Sequence, residues 1–223
     1  MYQNSYRPTT RFSFFPPVIK NLLILNGLIY MAQLVQANNG FLTQWFALWP
    51  FSTPFVNVPD FWPWQLLTYG FLHSTQGIGH LFFNMFALWM FGIQLENHWG
   101  SRRFGLYYII CVMGAGLVQL IVSTQAAYAG TVYPTIGASG GVFGILLAFG
   151  MMFPNQVIVL IFPPIPIKAK WLVIGYGVLE LFAGVSGMQP GVANFAHLGG
   201  MLFGFLLIMY WRGKLPIQPK RRM

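Results

Sequence analysis

Four polar side chains set among apolar neighbours have the types and spacing for chemistry. Ser139 lies in TIGASGGVFG (135–144), His197 in AHLGG, and His80 and Asn84 sit four residues apart in GHLFFNMFALWMFG. A serine hydroxyl becomes a nucleophile when a neutral imidazole within reach takes its proton, and the same imidazole can then protonate a leaving amine. His197 suits that role for Ser139. The acids are only Asp60, Glu96 and Glu180. Glu96 falls at the wrong end of its helix, and Glu180 suits either a polar neighbour or a gate, so the arrangement reads as a Ser-His dyad without a third member. His80 and Asn84, at i and i+4, share a helix face. Both can donate to a developing oxyanion, together with the backbone N–H of Ser139. Phe143, one turn beyond Ser139, is expected to pack beneath the His197 ring and fix its orientation.

These residues must be held by elements that cross a membrane. The 223 residues are 56% hydrophobic and only 7% charged, with a mean hydropathy of +0.60, which lacks the charged surface of a water-soluble domain. A span needs about 20 apolar residues. Such stretches fall near 18–37, 77–95, 104–123, 170–187 and 192–211, with a sixth, shorter one at 139–153. The expected fold is an all-α membrane protein, a six-helix bundle with a short, buried fourth helix. At about 1.5 Å per residue from the inner ends of their helices, His80, Ser139 and His197 share one level roughly 21–23 Å up a hydrocarbon core of about 30 Å. The short fourth helix requires the chain before it to dip into the membrane as non-helical backbone, tolerated only where protein or water satisfies it. Residues 124–138, with Gly130, Pro134 and Gly137, suit that descent. Ser139 then opens a helix whose unpaired amides favour negative charge.

The twelve basic residues are a test of orientation. All fall before the first span or within its first three residues, between the second and third, between the fourth and fifth or at the very start of the fifth, or after the sixth, while connections 38–76, 124–138 and 188–191 carry none. By the positive-inside rule both termini are cytoplasmic and the polar level faces outward. The net charge of +9 is thus a topology signal, and nucleic-acid binding is not expected. The organisation read from this is a cytoplasmic segment 1–17, a six-helix domain 18–212 with a long connection 38–76, and a basic cytoplasmic tail 213–223. That connection is rich in Trp, Phe and Pro, including Trp45, Trp49, Phe55, Trp62 and Trp64, as befits a structure lying in the membrane interface.

Each feature also has a structural reading. Gly137/Gly141 and Gly140/Gly144 are small-xxx-small pairs that admit close helix packing. Cys111 is a lone buried thiol, and His73 and His98, near helix ends, are expected to be exposed at the interface. Gly137-Ala-Ser139-Gly-Gly141 fits the nucleophile elbow of α/β-hydrolases, but that motif needs a preceding strand and a soluble sheet. No His/Asp/Glu/Cys cluster has ligand spacing, so no metal or organic cofactor is implied. What favours chemistry is the conjunction of polar residues from three helices at one depth.

The motifs His80-x-x-x-Asn84, LENHWGSRRF, GASGGVFG around Ser139 and AHLGG around His197, in that order on helices two, four and six, resemble those of the rhomboid intramembrane serine proteases. The resemblance covers nearly all of the chain from the first span onward. It implies a six-helix bundle in which Ser139 attacks, His197 is the base, and His80 and Asn84 assist the oxyanion. From their positions, Phe143, Gly137 and Gly140 are expected to support these residues. The implied partners are transmembrane protein substrates entering from lipid, preferably ones with helix-weakening residues, past the fifth helix and the cap around Gly184–Gly191. The compact six-helix form resembles bacterial members and points to the cell membrane. One departure is Trp64-Gln65, where many members carry Trp-Arg. The competing readings are a catalytically silent relative that binds transmembrane helices, and a channel, which would want a polar path below Asn84 that the sequence does not offer.

Overall fold

A computed structural model describes residues 12–36, 40–51, 58–160, 163–187 and 193–217. Arg7, Arg11, Phe55, the part of the 184–191 cap from residue 188 onward, and the tail cations Lys220, Arg221 and Arg222 lie outside the described residues. The described chain forms helices α1 (Pro17–Val35), α2 (Phe41–Phe46), α3 (Gln65–Thr68), α4 (Gly79–Trp99), α5 (Ser101–Tyr128), α6 (Ser139–Met152), α7 (Ala169–Ser186) and α8 (Asn194–Trp211). A small antiparallel hairpin, β1 (Val157–Val159) and β2 (Pro166–Lys168), links α6 to α7.

The helix ends follow local chemistry. Pro17 occupies the first turn of α1, where its missing N–H costs nothing. The next two amides, of Val18 and Ile19, each donate to the Glu96 carboxylate at 2.9 Å. Glu96 also accepts a 2.6 Å bond from the Ser101 hydroxyl. A carboxylate is favoured at the positive end of a helix dipole, so the acid near the end of α4 fastens the start of α1 and of α5. Gly100, at φ +80°, makes the tight passage from α4 into α5 that a side chain would resist.

Helix α6 is the hub, packed by α4, α5, α7 and α8. Glycines bring its backbone against its neighbours. A methyl group on Gly200 would collide with the Gly140 carbonyl oxygen, and one on Gly144 with Cys111 Sγ. Hydroxyls stitch the same layer, Tyr107 donating to the Gly144 carbonyl at 2.7 Å and Tyr69 to that of Val112 at 2.8 Å. Close backbone approach with satisfied hydroxyls is how helices hold together where no hydrophobic force separates them from lipid.

Four helices, α1, α5, α7 and α8, are long and apolar enough to cross a membrane among the described residues. Helix α4, with 21 residues, has the length, but His80, Asn84, Gln94, Glu96, Asn97 and His98 lower its hydropathy. Helix α6, with 14 residues, reaches only about 21 Å. Leu28 on α1, and Val178 and Phe182 on α7, are exposed apolar side chains, as a lipid-facing surface requires. The sequence places the third span at 104–123; α5 is longer at both ends, because Arg102, Arg103 and the polar Ser123-Thr124-Gln125 dilute the hydropathy without breaking the helix.

Beyond α5 the chain descends without helix to Ser139. Gly130 takes φ +95° and Gly137 φ +128°. Between them Thr135 pairs with Leu48 through two backbone bonds of 2.9 and 3.0 Å, and the Gly137 N–H donates to the Tyr69 carbonyl at 3.0 Å. The first connection thus supplies the backbone partners of this buried segment. Gln65, at the position of the departure noted above, is fully buried. Its amide accepts from Trp49 N at 3.2 Å and donates to the carbonyls of Trp45 and Asp60, each at 3.4 Å. Trp62 and Trp64 stack on the outside at 5.0 Å between ring centroids.

One histidine departs from expectation. His98 is exposed, but His73 is fully buried. Its Nε2 pairs with Asn26 Oδ1 at 2.9 Å, and its backbone N–H and carbonyl bond the Gln33 side chain at 2.8 and 3.0 Å. Asn26 and Gln33, on the buried face of α1, draw the residue inward, a pairing that hydropathy does not reveal.

Candidate active site

Ser139 begins α6 and His197 lies one turn into α8, and the close α6–α8 packing brings the two together. Ser139 Oγ stands 2.8 Å from His197 Nε2, a hydrogen bond through which a proton can pass. The Phe143 ring lies parallel to the imidazole, with centroids 4.2 Å apart and planes within 4°. With one face covered, the ring has little freedom to tilt away from Ser139.

His80 approaches from α4. Its Nδ1 accepts a bond from the Ser74 backbone N–H at 3.0 Å, so the neutral ring carries its proton on Nε2. A side-chain carbon at Gly137 would stand 3.1 Å from that Nε2 and 3.6 Å from Ser139 Oγ. The missing side chain and positive φ of Gly137 therefore leave one small volume that the His80 N–H and the serine oxygen both face. Asn84 donates to the His80 carbonyl at 2.8 Å, which leaves its amide a second N–H. His80, Asn84, Ser139 and His197 line one cavity of about 900 Å³, ample for several residues of a peptide. Gly140 serves packing, its missing side chain admitting Ala115 and the Ala196 carbonyl.

The expectation that no acid is at hand is corrected by the structure. Glu180 Oε2 lies 2.9 Å from His197 Nδ1 and accepts a 2.8 Å hydrogen bond from Asn194 Nδ2. The Glu180–His197 contact is close but off the line of an Nδ1–H bond, so the carboxylate stands beside the ring without a formed hydrogen bond. A signal was available. Glu180 is eleven residues above Ala169, about 16 Å up α7 and one turn below the serine level, a gap that a glutamate side chain bridges. Which face of α7 meets α8 was not legible. Asn194 was missed as well; at three residues before His197 it shares that helix face. Among the described residues no group of three or more His, Cys, Asp or Glu side chains is placed to hold a metal ion.

Comparison with known proteins identifies relatives of the chain. Residues 61–214 match the Rhomboid domain. The chain is 33% identical over 154 residues to Rhomboid protein 1, mitochondrial, of Saccharomyces cerevisiae, covering 69% of this chain and 44% of the relative. It is 33% identical over 153 residues to RHOMBOID-like protein 4 of Arabidopsis thaliana, covering 65% and 33%. With the Rhomboid protease GluP of Bacillus subtilis it shares 33% over 146 residues, covering 64% and 25%. The matched part thus spans less than half the length of these relatives. The domain match takes in more than two thirds of the chain and every residue of the site, and it shows that this multi-pass membrane protein belongs to the rhomboid family.

Proposed function

We propose that the protein is an intramembrane serine endopeptidase that hydrolyses peptide bonds in or near the transmembrane segments of other membrane proteins. The observation that carries this reading is the 2.8 Å contact of Ser139 Oγ with His197 Nε2 at the wall of a large cavity, under a ring that fixes the imidazole. His197 Nε2 takes the hydroxyl proton as Ser139 attacks the scissile carbonyl. The resulting oxyanion is met by the Ser139 backbone N–H, the His80 Nε2–H and the Asn84 amide, donors already oriented before the reaction. Collapse breaks the C–N bond, and His197 returns the proton to the leaving amine. Water then enters, gives a proton to His197 and attacks the acyl carbon; the ester C–O bond breaks, His197 returns the proton to Ser139 Oγ, and the new carboxyl end leaves.

In this reading α1, α4, α5, α6, α7 and α8 all cross the membrane, both termini are cytoplasmic, and Ser139 opens toward the outer face of the cell membrane. A short α6 lets water reach the serine from that side. Substrates enter from the lipid between α4 and α7 and need helix-weakening residues, since a peptide bond inside a stable helix is shielded by its own hydrogen bonding. No cofactor takes part.

The test is cleavage of a tagged transmembrane substrate in liposomes by the wild type and by Ser139→Ala, with both melting alike. Cutting by the wild type alone supports the reading. Failure of the wild type across a panel of helix-unstable substrates overturns it and leaves a helix-binding protein without hydrolytic activity.

A further inference from the structure

The environment of His197 is asymmetric. Nε2 faces Ser139, one ring face rests on Phe143, and Nδ1 is buried with no in-line hydrogen-bond acceptor among the described residues. The group nearest to it is the carboxylate of Glu180, at 2.9 Å. Both side chains are nearly withdrawn from water, with 10% of His197 and 12% of Glu180 exposed. The carboxylate is itself held, because Asn194 Nδ2 donates to the same Oε2 that faces the imidazole.

We propose that Glu180 is a positioning residue for His197, making the site a Ser-His-Glu arrangement in which α7 supplies the counter-charge. As a carboxylate, Glu180 can only accept hydrogen bonds. It therefore favours the tautomer that carries the proton on Nδ1, and this leaves the Nε2 lone pair free for the Ser139 proton. When that proton moves from Oγ to Nε2, positive charge develops on a ring with little water around it. A carboxylate a few ångströms away stabilises that charge far more than it would in bulk solvent. No covalent bond to Glu180 forms or breaks and it takes up no proton; its contribution is orientation and field. With the ring neutral the contact lies off line; once Nε2 takes the proton, the attraction between imidazolium and carboxylate draws Nδ1–H toward Oε2 and the charge-assisted bond forms.

This inference rests on the protease reading above, and the experiment separates the two. Wild type, Glu180→Gln and Glu180→Asp are reconstituted in liposomes and assayed for cleavage and for labelling of Ser139 by a fluorophosphonate, with melting as the check on folding. Glutamine keeps the shape and removes the charge, so kcat is expected to fall about 100-fold with KM within about twofold. Aspartate keeps the charge and restores part of kcat. In phosphonylated wild type carrying 15N-labelled histidine, the His197 Nδ1 proton should resonate at low field and move upfield in Glu180→Gln. Wild-type kcat in a folded Glu180→Gln, or an unchanged Nδ1 resonance, overturns the inference and leaves the protease reading standing. A wild type that neither cleaves nor labels at Ser139 overturns both. Should Glu180→Gln fail to fold, the wild-type resonance decides: absence of the low-field proton sinks the proposal.

Discussion

Gly200→Ala tests whether the α6–α8 approach sets the catalytic distance. The added methyl would collide with the Gly140 carbonyl oxygen, a backbone atom one residue from Ser139 that no side-chain rotation can move. Ordinary carbon–oxygen contact needs about 3.5 Å, so the helices must part by about 1 Å or more. Ser139 Oγ and His197 Nε2, now 2.8 Å apart, would then lie beyond the roughly 3.2 Å limit of a useful hydrogen bond. Misplacement of that size costs about 100-fold in rate, and overpacking costs about 1–3 kcal/mol of stability. The control is Gly175→Ala on α7, where an added methyl meets nothing within 4 Å. Both variants would be melted in detergent and assayed in liposomes at temperatures where they are folded. Folded Gly200→Ala should lose about 100-fold in kcat while Gly175→Ala stays near wild type. If Gly200→Ala keeps wild-type kcat and melting temperature, the two helices are not held by backbone contact and the reasoning fails.

Two further expectations concern acid stability and substrate entry. Burial, with a smaller push from His80, holds the His73 imidazole down from its usual 6.5 to about 4. The unfolded chain therefore binds the extra proton first, and stability contributed at neutral pH is lost as pH falls from about 6.5 to about 4, by up to about 3 kcal/mol. Urea titrations in detergent micelles across that range should show the loss for wild type and a flatter profile for His73→Asn; parallel profiles would refute the assignment. A cross-link between the outer ends of α4 and α7 should abolish cleavage of a transmembrane substrate while a small soluble ester is still hydrolysed, and undiminished cleavage would rule out entry between them.

Much of the site was legible because membrane burial makes polar residues costly and therefore informative. Ser139, His197, His80 and Asn84 stood out against apolar helices, and counting along 1.5 Å rises assigned three of them to a common depth. Depth is a one-dimensional quantity, and sequence carries it well. The rotation of one helix against another is not, because faces that are apolar all round hold no amphipathic stripe to reveal it. That is why Glu180 found no assigned partner, whereas His73 was expected at the surface because it lies near a helix end, and the inward pull of Asn26 and Gln33 on the buried face of α1 was hidden for the same reason.

The linear chain by itself determined the membrane class, the approximate helix positions, the shortness of α6 and the residues that could act at its start, since composition, length and unpaired amides are local properties. Tertiary structure alone decided that Gly140 and Gly200 meet backbone to backbone, that Leu48 and Tyr69 of the first connection satisfy the non-helical descent to Ser139, and that a carboxylate stands behind His197. Each of these joins residues on different elements, through contacts that depend on how rigid helices are turned and how closely their smallest residues let them approach.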